Sequence, residues 1–353
     1  MTTFDSTPPV GPVATAPLDQ SDGSSAVLPA KRGKRKRKIT LLVILLLIFA
    51  ALFAWYLLNR KPLSELPGLS STTLPHYEFS IYGSARPLGV ASSPDGDRIY
   101  VTASDGDRLV RAYDRAGKQT AILKPPSSTG PSHTPIYVAI NPTTQDVYVS
   151  DRIAASIYIY DAKGKYLRTF APKGSLGKFT PLALAFAPDG TLYASDIHDG
   201  TAKTHRVVSF APDGTLQRSL GKPGQLNFPN GIAVDSHGNI EVADSGNGRL
   251  AIFNVAGTML TTISAGVGEG DLGLPKGAAI DDAGRLFVAD TTDHMVRVYT
   301  VGATGTVPAY IGSFGGEGQL DAKFEYPNGV ATDKRAHIYI TDRENNRVQV
   351  WGY

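Results

Sequence analysis

Pro229-Asn230-Gly231-Ile232-Ala233-Val234-Asp235-Ser236-His237-Gly238-Asn239-Ile240-Glu241-Val242-Ala243-Asp244, continued by Arg249-Leu250-Ala251-Ile252-Phe253, is the stretch whose reading decides the fold. It reads as a short strand, a turn around Gly238, a second strand ending in Asp244, a tight loop and a third strand. A near copy runs through Pro327-Asn328-Gly329-Val330-Ala331, Ile338-Tyr339-Ile340-Thr341-Asp342 and Arg347-Val348-Gln349-Val350-Trp351. Looser copies fill most of the chain from Pro87 to Tyr353. A repeat of this length decides architecture before any local propensity does.

The strand-initial prolines are Pro87, Pro135, Pro181, Pro229, Pro275 and Pro327, spaced 48, 46, 48, 46 and 52 residues apart. Each opens a first strand, such as Gly89-Val90-Ala91 or Gly231-Ile232-Ala233. Turns such as Pro94-Asp95-Gly96 and Pro188-Asp189-Gly190 follow, with Pro to fix φ, Asp to bond the local backbone and Gly for positive φ. Second strands run into Asp151, Asp196, Asp244, Asp290 and Asp342. Third strands end on Tyr113, Tyr160, Phe210, Phe253, Tyr299 and Trp351. A fourth, less regular strand follows in five units, as at Tyr166 to Phe170. Four strands per unit arranged radially predict an all-β, six-bladed β-propeller over residues 75–353. The last unit lacks its fourth strand, and Tyr77 to Gly83 is placed to supply it. That pairing closes the ring and covers both edges.

The pattern Pro-x-Gly-(Val/Ile)-Ala, Gly-turn, Val-Ala/Ser-Asp, then Arg-hydrophobic-x-Val-aromatic resembles the NHL repeat. Pro229–Phe253, Pro275–Tyr299 and Pro327–Trp351 carry it most fully. Blade 1 departs from it, with Ala103 or Ser104 where the Asp stands elsewhere, and blade 3 carries about five extra residues around Ile197 to His205. The resemblance implies extracytoplasmic sensor propellers, RNA-binding tripartite-motif relatives, or enzymes. Related amidating lyases place zinc-binding His after the strand-initial Pro; here those six positions hold Leu88, Ile136, Leu182, Asn230, Lys276 and Asn328. Gluconolactonase-like propellers hold a divalent cation with Glu, Asn-Gly and Asp-Gly. Asn230-Gly231 and Asn328-Gly329 match the Asn element, but a Glu near Arg86-Pro87 and an Asp after any Pro are missing. A hard cation wants carboxylate oxygen.

The N-terminal quarter has a different composition. Residues 1–38 form a Pro/Ser/Thr/Ala-rich tail ending in Lys31-Arg32-Gly33-Lys34-Arg35-Lys36-Arg37-Lys38, which reads as disordered. Ile39 to Leu58 carries no charge over 20 residues, long enough to span about 30 Å as a helix. It exceeds the 7–15 apolar residues of a cleavable signal. The flanking charge predicts a single-pass cell-membrane helix at 39–58 with the N-terminus in the cytoplasm. A stalk at 59–74 would then lead to a propeller outside.

The chain has 35 basic and 32 acidic residues. Nine basic and four acidic residues precede Pro75, leaving 26 basic and 28 acidic, a net of −2, on the repeat domain. That argues against a nucleic-acid surface there. Cysteine is absent, so thiol chemistry and disulfides are excluded.

The residue after each Pro is expected at one channel mouth, apolar in blades 1–3 and polar in blades 4–6. Candidate ligand-binding residues are Asn230, Lys276 and Asn328, flanked by Arg249 and Arg347. The repeat Asp carboxylates read as acceptors for loop N–H groups, not as catalysts. His198 and His205, beside Asp196 and Asp199, form a His cluster in the blade 3 insertion, where surface histidines are the commoner outcome. No catalytic residue, metal ligand or cofactor is assigned. The expected role is binding, as a scaffold or sensor for a protein, glycan or small ligand. The alternative is a metal-dependent lyase or lactonase at the channel.

Overall fold

The computed structural model describes residues 40–50, 74–127, 133–198, 203–264, 268–302 and 306–353. Residues 40–50 form a helix, a separate compact unit from the β-domain. Eleven residues extend only about 16 Å. Among the described residues no helix is long and apolar enough to cross a membrane. Of the expected span at 39–58, residues 40–50 are helical, and 39 and 51–58 lie outside the described residues, as do the tail at 1–38 and the stalk at 59–73.

The β-domain is six four-stranded antiparallel sheets. Blade 1 comprises β2 (Pro87–Ser92), β3 (Ile99–Ala103), β4 (Val110–Tyr113) and β5 (Gln119–Leu123). Blade 2 is β6 (Pro135–Ile140), β7 (Val147–Asp151), β8 (Ser156–Tyr160) and β9 (Tyr166–Thr169). Blade 3 is β10 (Pro181–Phe186), β11 (Leu192–Asp196), β12 (Arg206–Phe210) and β13 (Leu216–Leu220). Blade 4 is β14 (Pro229–Val234), β15 (Ile240–Asp244), β16 (Arg249–Phe253) and β17 (Met259–Ser264). Blade 5 is β18 (Pro275–Ile280), β19 (Arg285–Asp290), β20 (Met295–Thr300) and β21 (Ala309–Gly315). Blade 6 is β22 (Pro327–Thr332), β23 (Ile338–Asp342) and β24 (Arg347–Gly352), completed by β1 (His76–Tyr82).

The closing pair is antiparallel, with Tyr77 opposite Trp351 and Ile81 opposite Val348. The expected closing strand at 77–83 lies one residue earlier. First strands of successive blades pack against one another, including β22 against β2, so they form the inner ring. At this inner wall a β-carbon on Gly231 would collide with the carbonyl oxygen of Lys276, and one on Gly329 with that of Leu88. That close approach is why the repeat demands Pro-x-Gly.

The core is divided into seams between neighbouring blades. Tyr100 of blade 1 packs with Val147, Val149 and Tyr160 of blade 2. Tyr148 packs with blade 3, Tyr193 with blade 4, Phe287 with blade 6, and Tyr339 with blade 1. These five residues occupy one position, three residues before the end of the second strand, where blades 2 to 6 carry the repeat Asp. Blade 4 puts Glu241 there, 1% exposed. Strand alternation places Glu241 on the same face as Ala243, in the seam with blade 5.

Candidate functional site

The five repeat aspartates are all buried, and each is an architectural acceptor. Asp151 accepts from the backbone N–H groups of Thr134, Ile153 and Ala154. Asp244 accepts from Asn227 N, Asn247 Nδ2 and Arg249 Nε at 2.6, 2.8 and 2.8 Å. Asp342 accepts from Glu325 N, Asn345 Nδ2, Arg347 Nε and Gln349 Nε2. Burial pushes Asp290 above the usual carboxylate range, against the pull of two backbone N–H bonds from Gly273 and Leu274.

Arg249 and Arg347 are committed within their own blades. Arg249 bonds Asp244 and, through Nη2, the Gln225 carbonyl at 2.7 Å. Arg347, 4% exposed, bonds Asp342 and the carbonyls of Leu320 and Lys323. Arg206 repeats this arrangement with Asp196 and Leu176 O. The spacing of five residues from Asp to Arg brings the two side chains across one strand pair, Asp244 opposite Arg249 and Asp342 opposite Arg347. The two arginines therefore hold loops, and their guanidinium groups are turned to carbonyls of the preceding inter-blade segment rather than presented to a ligand.

The blades are strapped to one another by hydroxyls just ahead of the mouth. Thr102 Oγ1 donates to Ile136 O at 2.8 Å and accepts from Gly89 N. Ser150 Oγ donates to Leu182 O at 2.6 Å, and Thr341 Oγ1 to Leu88 O at 3.0 Å. In blades 4 and 5 the equivalent residues are Ala243 and Ala289. There the strap moves two residues on: Ser245 Oγ donates to Pro275 O, and Thr291 Oγ1 to Pro327 O.

A second device fixes the residue before three of the strand-initial prolines. Arg86, Phe228 and Tyr326 have φ of 44, 47 and 55°, a left-handed conformation costly for side chains with a β-carbon. Their N–H groups donate to Asn346 Oδ1, His205 Nδ1 and His294 Nδ1 respectively. His205 and His294 also stack edgewise or tilted on Phe228 and Tyr326. His205 Nδ1 is thus spent on the blade 3 to blade 4 junction. Among the described residues no three His, Cys, Asp or Glu side chains gather as a metal site; Asp199 lies outside the described residues.

The mouth itself is split as its six post-Pro residues suggest. Ile136 and Leu182 are buried in an apolar cluster, with Leu88 and Phe228 partly exposed against it. Opposite stand Asn230, Lys276 and Asn328. Tyr137, on β6, occupies the position that is Gly in four blades. Its hydroxyl crosses the ring from blade 2 to meet Asn328 Oδ1 of blade 6 at 3.4 Å. Burial drives the Tyr137 phenol well above its ordinary range, so it stays a proton donor. Asn230 Nδ2 donates to Phe228 O at 3.1 Å and Ser245 Oγ at 2.8 Å. Lys276 is half-buried, and no hydrogen bond or ion pair to its ammonium is found among the described residues. Burial, reinforced by the nearby Arg343 cation, lowers its pKa.

The comparisons with known proteins fit this geometry at the level of fold. The NHL repeat model matches residues 226–253 and 324–351. These two segments are NHL repeats. They carry both the Asp244–Arg249 and Asp342–Arg347 pairs. A curated relative, the E3 ubiquitin-protein ligase TRIM71 of Xenopus tropicalis, is 51% identical over 39 residues, 11% of this chain and 5% of the relative's length. The chain therefore spans a small part of that protein. Among solved structures, a streptogramin B lyase superposes with a TM-score of 0.57 at 12% identity, covering 80% of this chain and 99% of the other. A nidogen/laminin complex chain superposes with a TM-score of 0.52 at 18% identity, covering 64% and 79%. Both likenesses are of fold: one neighbour is an enzyme and the other a member of a protein complex.

Tyr137, Glu241 and the hydroxyl straps went unread at the level of sequence. The first two were visible as departures from the aligned repeat, Tyr for Gly and Glu for an aromatic. The straps needed the ring geometry, because their acceptors belong to the next blade.

Proposed function

We propose that this chain is a membrane-anchored NHL-repeat propeller whose polar channel mouth binds a partner. The observation that carries the reading is the distribution of bonded polar groups. The repeat Asp and Arg side chains are consumed by blade architecture, whereas the half-buried Lys276 at the mouth has no counter-ion among the described residues. A mouth with one apolar wall and a few convergent polar groups is the usual form of a binding site. The anchor rests on the uncharged run at 39–58 and the basic run before it, which together favour a cytoplasmic N-terminus and a propeller outside the cell membrane.

Two measurements test this. Protease added to intact cells should degrade the propeller while sparing an epitope at residues 1–38; protection of the propeller would overturn the topology. Crosslinked co-purification of the full chain from its membrane should recover a partner that is lost with Asn328→Ala or Lys276→Glu; recovery unchanged by both substitutions would remove the mouth as the binding face. A metal-dependent lyase or lactonase is the competing outcome. Stoichiometric zinc or calcium, lost on Asn230→Ala, would establish it in place of the binding reading.

A further inference from the structure

The polar groups of the mouth fix the chemistry of what it can hold. This argument rests on the mouth being the binding face. Beyond the paired Asp244–Arg249 and Asp342–Arg347, the charged groups about Lys276 include Arg343, which acts on it electrostatically, and Arg86 and Glu344. Glu344 is already engaged, by Arg86 at 2.6 Å and Arg343 at 3.5 Å. Arg86 and Arg343 thus share the Glu344 carboxylate, whereas among the described residues no ion pair reaches the ammonium of Lys276. Its half-burial removes part of its water without supplying an anion, a cost that a bound anion would relieve.

The two amides have determined orientations. Ser245 has a single hydroxyl proton, and it goes to Pro275 O. Its contact with Asn230 must then come from the Asn230 NH2 group, which leaves Asn230 Oδ1 as a free acceptor. The buried Tyr137 phenol has one acceptor within reach, Asn328 Oδ1. That leaves Asn328 Nδ2 as a donor. The polar half therefore presents an ammonium and an amide NH2 beside a single carbonyl oxygen. Beside them, Phe228, whose carbonyl accepts the Asn230 amide, and Leu88, next to blade 6, offer partly exposed apolar surface.

We infer that the mouth binds a small organic anion: a carboxylate or phosphate monoester taken by Lys276 and Asn328, an adjacent hydroxyl or N–H donating to Asn230 Oδ1, and an apolar body on Leu88 and Phe228. Arg343 adds long-range attraction for the anion, and Tyr137 closes the channel beneath it, so the ligand sits at the mouth and does not thread the ring.

The test uses the full chain in neutral detergent and fluorine NMR of four probes: 4-fluoromandelate, 4-fluorobenzoate, 4-fluorophenyl phosphate and the uncharged 4-fluorobenzyl alcohol. The anions should broaden saturably while the alcohol, which reports partition into detergent, should not. Lys276→Gln should weaken anion binding at least tenfold with an unchanged thermal melt, and Lys276→Arg should retain most of it. Mandelate, with its hydroxyl, should lose affinity in Asn230→Leu, whereas 4-fluorobenzoate, lacking the hydroxyl, should not. Absence of saturable anion binding, or equal affinity in Lys276→Gln, overturns the inference. If that happens while mouth-dependent partner capture survives, the binding reading stands without the anion. Loss of both removes both.

Discussion

Blades 4 and 6 share a backbone plan and the fullest repeat sequences, yet they meet their following neighbours differently. In blade 6, Tyr339 fills the seam with blade 1, and its hydroxyl donates to Asp333 Oδ2 at 2.9 Å. Asp333 also receives the N–H groups of Arg335 and His337 and the His337 ring. In blade 4 the same two positions are Glu241 and Asp235. Asp235 is satisfied by His237 N, Asn239 N and Asn239 Nδ2, but both Glu241 oxygens are buried without a partner among the described residues. One seam pairs a donor with an acceptor; the other places a second acid beside the first. Burial, then the Asp235 charge, raises the Glu241 pKa well above the carboxylate range. The repeat specifies a shape at this position, and shape alone tolerates a side chain whose polarity is unmatched.

The largest test of the contrast removes the closing strand. Deleting residues 76–82 uncovers β24, including Trp351 and Val350, and should cost on the order of 5 kcal/mol or more. A urea melt with an unchanged midpoint would show that the blade 6 seam does not hold the ring. Next are the buried ion pairs. Arg347→Ala strands Asp342 in a site where both partners are nearly fully buried and should cost about 3–5 kcal/mol. Arg249 is 22% exposed in its side chain, so water can partly replace it, and Arg249→Ala should cost about 1–3 kcal/mol. Equal losses would mean that burial does not set the difference.

The seam residues should respond in opposite directions. Tyr339→Phe removes the donor to Asp333 and should destabilise by about 1–2 kcal/mol. Glu241→Phe replaces an unpaired carboxyl with the ring used by blade 5 and should stabilise by about 1–3 kcal/mol near neutral pH. The pH dependence follows from the raised pKa. Unfolded Glu241 releases its proton near its ordinary value of 4.5, whereas the folded state retains it. Folding then takes up a proton, so stability from this group falls as pH rises from about 4.5 toward the folded pKa. The gain from Glu241→Phe should accordingly be smaller at pH 4 than at pH 8, and a gain independent of pH would show that the carboxyl is not the cause. Smallest are the straps: Thr341→Val and Ser245→Ala should each cost about 1 kcal/mol, measured by the same melts.

The six blades and their closure were legible because a proline, a Gly turn, an Asp and a terminal aromatic recur in register over the whole domain. Each unit corroborates the others. The positions of Asn230, Lys276 and Asn328 were legible for the same reason, since each follows a strand-initial Pro, but the bonds of Asn230 to Phe228 O and of Asn328 to Tyr137 were not. The arginines were placed at the mouth because a sequence gives proximity to a loop but not the direction of a side chain. Their partners were already present five residues upstream. Tyr137 is the converse case: a bulky residue at a glycine position reads as a flaw in the repeat until the ring brings Asn328 opposite it.

The pairing of β1 with β24 has a consequence for synthesis. Five blades are built from contiguous sequence and can assemble in the order in which they are made. The sixth cannot, because its outer strand is made before any blade and its partner after all the others. At typical synthesis rates β1 waits on the order of tens of seconds for β24. During that wait its apolar face, with Phe79 and Ile81, has no strand to pair with. A chaperone acting on the β-domain would therefore find its earliest and longest-lived client segment at residues 76–82.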